Sequence, residues 1–385
     1  MKVAQLGCGI TGLVCAELLA AHPGIDQLVL ADSETDGPER LSHRLNDDRV
    51  TVRKMDASDA EDLADVVRES DVVVCSLPWD LNDRVLETAA THGVDYVDFC
   101  LSQSALKDFA KIDAKCGDAG ITAITAVGLE PGISNVLAGY ASSRLDSVSE
   151  VHVIDGDNGV IEGHDFASTW SPVDWIDEVS LPAAVFRDGR IEYVPPLNER
   201  EVYDFPEPIG PLPVYKTLHD ETFLIPMHLK GVRNVDFRIA IDDDFASMAK
   251  TLKKLGLNRK ELVDVKGVKV RPLDLLASLM PRPVDVAGEF KGHGGTVVEV
   301  IGEKGGHPTM VKVWVFASHE EAYERFRTNA TGLLVGVGGA IPTEMLVEGL
   351  VEGKGLVAPD QLPADEFVRR LRDKGLEVNE ETTPL

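Results

Sequence analysis

The chain has 385 residues, 44% of them hydrophobic and 27% charged, which suits a globular protein of two domains better than one. Its 65 Asp and Glu against 38 Lys and Arg leave a formal net charge of −27, which argues against a nucleic-acid or anionic-membrane partner. The acids are spread along the chain without a tail-like block, the pattern of a solvated acidic surface such as salt-adapted (halophilic) proteins carry.

From the N-terminus, Lys2–Leu6 predicts a short buried strand and leads directly into Gly-Cys-Gly-Ile-Thr-Gly. The opening run has the lysine and apolar stretch of a signal peptide, but Glu17 interrupts it. Gly7, Gly9 and Gly12 fit G-x-G-x-x-G, and helical spacing then runs to the His22-Pro23-Gly24 stop. Gln27–Asp32 predicts a second strand that ends in an acid about twenty residues past the last glycine. A tight turn without a ligand would account for the glycines but not for the acid. Together these features predict a dinucleotide site: Gly7, Gly9, Ile10, Thr11 and Gly12 admit the pyrophosphate to a helix N-terminus, while Asp32, with Ser33 beside it, accepts from the ribose hydroxyls. A 2′-phosphate would meet the Asp32 carboxylate with no arginine in Ser33-Glu34-Thr35, so NAD is expected over NADP.

Strand and helix signals keep alternating through "VTVRKMDASD", "DVVVCSLPW", "DYVDFC" and "ITAIT", which predicts a doubly wound parallel α/β (Rossmann) sheet over residues 1–130. Ligands bind beyond the carboxyl ends of such strands. Asp56 and Ala57 are placed toward the adenine, and Ser76, Leu77, Pro78 and Cys100 toward the nicotinamide. Ser76, Asp98 and Glu130 all fall at strand ends. Each by itself is more often a helix cap or a solvated loop residue, and their common side of the sheet is what directs attention to them.

Residues 131–317 predict an α+β domain with a mixed or antiparallel sheet. "NVDFRIAI" alternates with period two, "ASMAKTLKKLGL" is a helix stopped by Gly256, and a hairpin turns at Glu303-Lys304-Gly305-Gly306. Residues 318–385 are expected to be helical and to pack back on the first domain, the glycines of "TGLLVGVGGAI" allowing close approach. "STWSP" contributes Ser168, Trp170 and Ser171, and "YKTLHDETFLIP" contributes His219, a residue whose simplest role is one structural hydrogen bond. The five cysteines lie in the first third without Cys-x-x-Cys spacing, so reduced cytoplasmic thiols and no metal are expected. No stretch reaches 18 uninterrupted apolar residues, so no membrane span is expected.

The signatures "GCGITG" with Asp32, "SLPW", "YVDFC", "GLEPGISNVLAGY", "TWSP", "YKTLHDETFLIP" and "KGVRNVDFRIAI" resemble the saccharopine dehydrogenase-like family of reductases, and within it the lysine 6-dehydrogenase group through Thr-Leu-His-Asp-Glu. The resemblance implies hydride exchange between a nicotinamide and a carbon–nitrogen bond of an amino acid or polyamine precursor. Hydride leaves the carbon beside an amine only when the nitrogen is neutral, so a base is needed. Glu130 is the expected base and His219, from a facing domain, its partner. Asp98 stands behind them or binds the substrate ammonium, and Ser168, Trp170 and Ser171 line the pocket. Oxidative deamination of the lysine ε-amine is the expected activity. The alternatives are a saccharopine or carboxynorspermidine-type reductase and a non-catalytic NAD-binding module. Between Val151 and Lys230 only Arg187, Arg190, Arg200, Lys216 and Lys230 oppose a large excess of acids, which favours a substrate richer in amines than the tricarboxylate saccharopine. A homo-oligomer, a dimer, is expected, with small-molecule substrates as its other partners.

Overall fold

The computed structural model describes residues 1–164 and 167–385. It divides into two compact units, one of Met1–Tyr140 with Leu333–Val378 and one of Ala141–Gly332 with Asn379–Leu385.

The first unit is built on six strands, β1 (Lys2–Leu6), β2 (Gln27–Asp32), β3 (Val50–Lys54), β4 (Val72–Cys75), β5 (Asp95–Asp98) and β6 (Thr122–Ile124). They join Gly355–Val357 in a seven-stranded sheet of order (Gly355–Val357)-β6-β5-β4-β1-β2-β3, and all its pairings are parallel. Strands buried on both faces read as continuous apolar runs, and Val72, Val73 and Val74 are fully buried. Chain order reverses between β1 and β4, so the crevice of a doubly wound sheet opens past Leu6 and Cys75.

The helix Ala330–Val347 is the one helix among the described residues long and apolar enough to cross a membrane, and 83% of it is buried within the fold. Its glycines explain the close packing. A Cβ on Gly336 would stand 2.6 Å from Val14 Cβ, one on Gly338 2.0 Å from the Gly128 carbonyl, and one on Gly339 1.9 Å from the Phe99 ring. A side chain at any of them would force the helix away from these neighbours.

The second unit carries a nine-stranded mixed sheet. Its centre is β7 (Ser147–Asp157), followed in the chain by β8 (Gly210–Lys216), β9 (Asn234–Ala240), β10 (His293–Lys304) and β11 (His307–Ser318). β9 runs parallel to β7, and β10 is antiparallel to both β7 and β11. The β10–β11 hairpin turns on Gly305 and Gly306, both at positive φ (58° and 76°), as a two-residue primed turn requires. The helix Asp243–Leu255 stops at Gly256, whose φ of +75° supplies the left-handed cap.

The tail expected to be mostly helical also carries two strands. Gly355–Val357 completes the first sheet, and Val378–Pro384 is an edge strand of the second. The first is three residues long. The second reads Val-Asn-Glu-Glu-Thr-Thr-Pro, polar because most of an edge strand is exposed, so neither shows strand periodicity. The first unit also extends past residue 130, through Tyr140.

Candidate functional site

In the first unit the glycine turn is built from below. The buried Gln5 donates from Nε2 to the Gly7 carbonyl (3.0 Å) and to Ser76 Oγ (2.8 Å), and Ser76 Oγ donates to the same carbonyl (2.7 Å). Gly7 has φ +84°, and its Cβ would meet the Ser76 carbonyl at 2.7 Å; a Cβ on Gly12 would lie 2.2 Å from the Gly7 carbonyl. Gly9 is different, for nothing lies within 4 Å of where its Cβ would be. Two glycines are therefore demanded by the protein itself, while the third leaves an open, backbone-lined surface for a ligand. The following helix, α1 (Gly12–Ala20), has no acid in its first turn, which suits a phosphate at its N-terminus.

Asp32 accepts from the Cys8 amide through Oδ2 (2.6 Å) and from the Glu34 amide through Oδ1 (2.9 Å), which fixes its carboxylate beside the turn. Ile10 and Thr11 are half-buried, and Ser33 and Gly9 are exposed. Asp56 accepts from Ser58 through both amide and hydroxyl, and these hydrogen bonds hold its carboxyl below the ordinary range. Ala57 is buried, Leu77 half-buried and Pro78 exposed. Cys100 is exposed, and its backbone carbonyl accepts from Asn82. Ser76, expected against the cofactor, spends its hydroxyl bracing the glycine turn.

Asp98 is almost fully buried, and its carboxylate accepts from the Tyr96 hydroxyl (2.8 Å), the Thr125 hydroxyl (2.7 Å) and the Ala126 amide (2.7 Å). Ala126 is held at φ +61°, just before the Gly128–Gly132 turn. These hydrogen bonds anchor the backbone ahead of a turn. The turn closes on itself, with the Gly128 amide donating to the Pro131 carbonyl (2.7 Å) and the Ile133 amide to the Gly128 carbonyl (3.0 Å). A Cβ on Gly132 would stand 2.3 Å from that same carbonyl, and the Gly132 amide donates to Asn135 Oδ1. Glu130 sits at the tip of this turn, half-buried.

In the second unit His219 follows β8 and precedes helix Glu221–His228. Its Nδ1 donates to Glu221 Oε2 at 2.6 Å, and its ring stacks on Phe237 of β9 with centroids 3.8 Å apart. Glu221 is wholly buried. Glu178, on helix Pro172–Ser180, accepts from the Thr217 hydroxyl (2.8 Å). Burial alone would drive the imidazolium to lose its proton, but the charge and hydrogen bond of Glu221, then Glu178 and Asp220, outweigh it and raise His219 from 6.5 to about 9. Burial also pushes the Glu178 carboxyl up. His219 is thus a charged donor at neutral pH. The residues expected to line a pocket are engaged locally: Ser171 caps helix Pro172–Ser180, Ser168 Oγ donates to the Trp170 carbonyl, and Trp170 is half-buried.

Residues 3–124 match the family model described as the saccharopine dehydrogenase NADP binding domain, and residues 128–376 the one described as the saccharopine dehydrogenase C-terminal domain. The chain belongs to the saccharopine dehydrogenase family. It is an NAD(P)-dependent oxidoreductase of that family. The chain is similar to the carboxyaminopropylagmatine dehydrogenase of Synechocystis sp., with 24% identity over 392 residues, 98% of this chain and 97% of the relative. It is also similar to the carboxynorspermidine synthase of Vibrio cholerae, with 26% identity over 399 residues, 98% of this chain and 96% of the relative. The apo saccharopine dehydrogenase (L-Glu forming) of Saccharomyces cerevisiae shares the fold, with a TM-score of 0.74, 17% identity and 99% of each chain covered.

The turn of this saccharopine dehydrogenase-family chain fits a dinucleotide, given the open face of Gly9, the unopposed N-terminus of α1 and the fixed Asp32 carboxylate. Sequence reading passed over Gln5, although a glutamine inside an otherwise apolar buried strand is a signal in itself. It also passed over Glu178 and Glu221, which lie far apart in sequence or behind the histidine that drew attention. Among the described residues no group of His, Cys, Asp and Glu is arranged to hold a metal ion.

Proposed function

We propose that this protein breaks and forms the carbon–nitrogen bond of a secondary amine that joins an amino-acid portion to a second amine, with NAD as the preferred cofactor. The observation that carries the reading is the charged His219 set among Glu178, Glu221 and Asp220. Three carboxylates gathered about one histidine are surroundings that suit an amine-rich substrate better than a tricarboxylate. The names of two relatives aligned over nearly the whole chain, both carboxylated polyamine-type compounds, support the same class.

When bound, the dinucleotide supplies the hydride acceptor for oxidation and the donor for reduction. In oxidation the amine nitrogen is neutral, hydride leaves the adjacent carbon, water adds to the iminium, and the C–N bond breaks to give an aldehyde and a primary amine, with one proton released overall. In reduction His219, protonated at neutral pH, is the proposed proton donor, and its deprotonated form accepts the proton in oxidation. Glu130, half-buried at the tip of a rigid turn, is the proposed second proton-handling residue.

A second reading, ε-deamination of lysine, is favoured by the same acids, since lysine also carries two amines and one carboxylate. The test follows NADH formation from carboxynorspermidine, saccharopine and L-lysine with NAD in molar KCl. Carboxynorspermidine is expected to exceed lysine by at least about tenfold in kcat/KM, a difference of roughly 1.4 kcal/mol. Lysine as the best substrate would transfer the assignment to the second reading, and no turnover with any of the three would remove both.

A further inference from the structure

One group of acidic side chains in the second unit gathers about His219. Asp155 and Asp157 alternate along β7 and so share one face of the sheet. Phe237, on which His219 stacks, lies beside Val153 in register, which puts the imidazole on that same face. Asp157 is committed: its Oδ1 accepts from His319 Nε2 (3.1 Å) and from the Gly159 amide (2.6 Å), while His319 Nδ1 accepts from the Ala330 amide. Glu221 is committed to His219. Asp155 is half-buried, and among the described residues no Lys or Arg pairs with it. Burial, then repulsion from Asp157 and Glu178, push its carboxyl well above the ordinary range against the pull of His219.

A second observation lies directly across the ladder. Thr296 of β10 is in register with Asp155, so the two side chains stand side by side on one face. Thr296 is completely buried, and its hydroxyl has no hydrogen-bond partner. Buried hydroxyls are rarely left so, because an unmade bond costs the full desolvation of the group. A half-buried carboxyl with no Lys or Arg paired to it among the described residues, beside a buried hydroxyl without a partner, is an acceptor set for an ammonium head, which would donate one charge-assisted bond to Asp155 and a second hydrogen bond to Thr296 Oγ1, with the field of Glu178 behind them.

We infer that Asp155 and Thr296, backed by Glu178, form a receptor for the distal ammonium of the substrate, the cationic end remote from the reacting nitrogen. The inference rests on the amine-substrate reading above and deepens it: the substrate class is an amine that carries a second alkylammonium group.

The test is calorimetric and needs no turnover. Wild-type protein saturated with NAD is titrated with 1,3-diaminopropane and with n-propylamine at one fixed KCl concentration. The diamine should bind about 10- to 100-fold tighter, the span of a hydrogen bond to a charged group. In Asp155→Asn that gap should close to within about threefold, and in Thr296→Val it should narrow several-fold, with NADH binding unchanged in both. Equal binding of the two amines to the wild type, or an undiminished gap in Asp155→Asn, would overturn the receptor. Where Asp155→Asn fails to fold, the wild-type comparison and Glu178→Gln decide, because Glu178→Gln should also reduce the gap. Turnover of carboxynorspermidine without any diamine preference would remove this receptor and leave the reaction. A diamine preference without turnover would leave the receptor and remove the reaction.

Discussion

Glu221→Gln isolates the charge that keeps His219 protonated. The substitution preserves the shape of a wholly buried side chain and removes the carboxylate 2.6 Å from His219 Nδ1. The rise of His219 from 6.5 to about 9 corresponds to roughly 3 kcal/mol of net preference for the imidazolium, at about 1.4 kcal/mol per pH unit. Glu178 and Asp220 remain in the variant, so the whole rise is not lost; a close opposite charge accounts for about 1–3 pH units, and we expect a fall of about 1.5. At pH 8 the protonated fraction should then drop from roughly nine-tenths to roughly one-quarter. The assay is a pH titration of the imidazole resonances by heteronuclear NMR, with His219→Asn to assign the signal. Because the folded value is raised, the stability it contributes is complete below about 6.5 and is lost as the pH climbs through about 9. The difference in Tm between wild type and Glu221→Gln should therefore be largest near pH 6.5 and shrink as the pH rises toward 10. Titration of wild-type His219 near 6.5, or an unmoved value in the variant, would refute the electrostatic argument.

Three further outcomes follow from the same geometry. Asp98→Asn should cost stability, about 1–3 kcal/mol for a buried acceptor that loses its donors, while kcat of the folded enzyme stays within about threefold; a 100-fold loss of kcat at unchanged Tm would restore Asp98 to the chemistry. Asp32→Asn keeps an acceptor for the Cys8 amide and removes the charge, so the preference of wild type for NAD over NADP should narrow about tenfold in kcat/KM, or about 1.4 kcal/mol. If wild type favours NADP instead, Lys54, in register beside Asp32, is the cation to test next. Finally, Tm should rise with KCl into the molar range as salt screens a formal charge of −27, and a flat or falling curve would remove the salt-adaptation reading.

The first unit was legible because its signals are local. A buried strand, a glycine turn, a helix and a terminal acid occupy consecutive residues, and each strand of a parallel sheet is a short apolar run. What brings Gln5 to Ser76, or Asp98 to Thr125, is the lateral order of the strands, which no window along the chain contains. That is why Ser76 and Asp98 read only as ligand contacts at strand ends, while their hydrogen bonds to the turns there were not legible. The same limit hid the surroundings of His219. The histidine stood out in its own segment, but Glu178 comes from an earlier helix, Asp155 from β7 and Thr296 from a strand much later in the chain. Their convergence is a property of the sheet. The two short or polar strands near the C-terminus escaped for a simpler reason, since one is too brief to show a period and the other is an exposed edge.

The most direct test of the central claim follows the nitrogen. The enzyme is supplied with a secondary-amine substrate, carboxynorspermidine, and NAD in 18O-labelled water, and NADH, primary amine and aldehyde are quantified together by absorbance and mass spectrometry. Oxidation of the C–N bond predicts one primary amine released for each NADH formed, with the aldehyde oxygen drawn from labelled water. NADH produced without release of an amine, or no NADH from this substrate, from saccharopine or from lysine in folded, cofactor-binding protein, would contradict it.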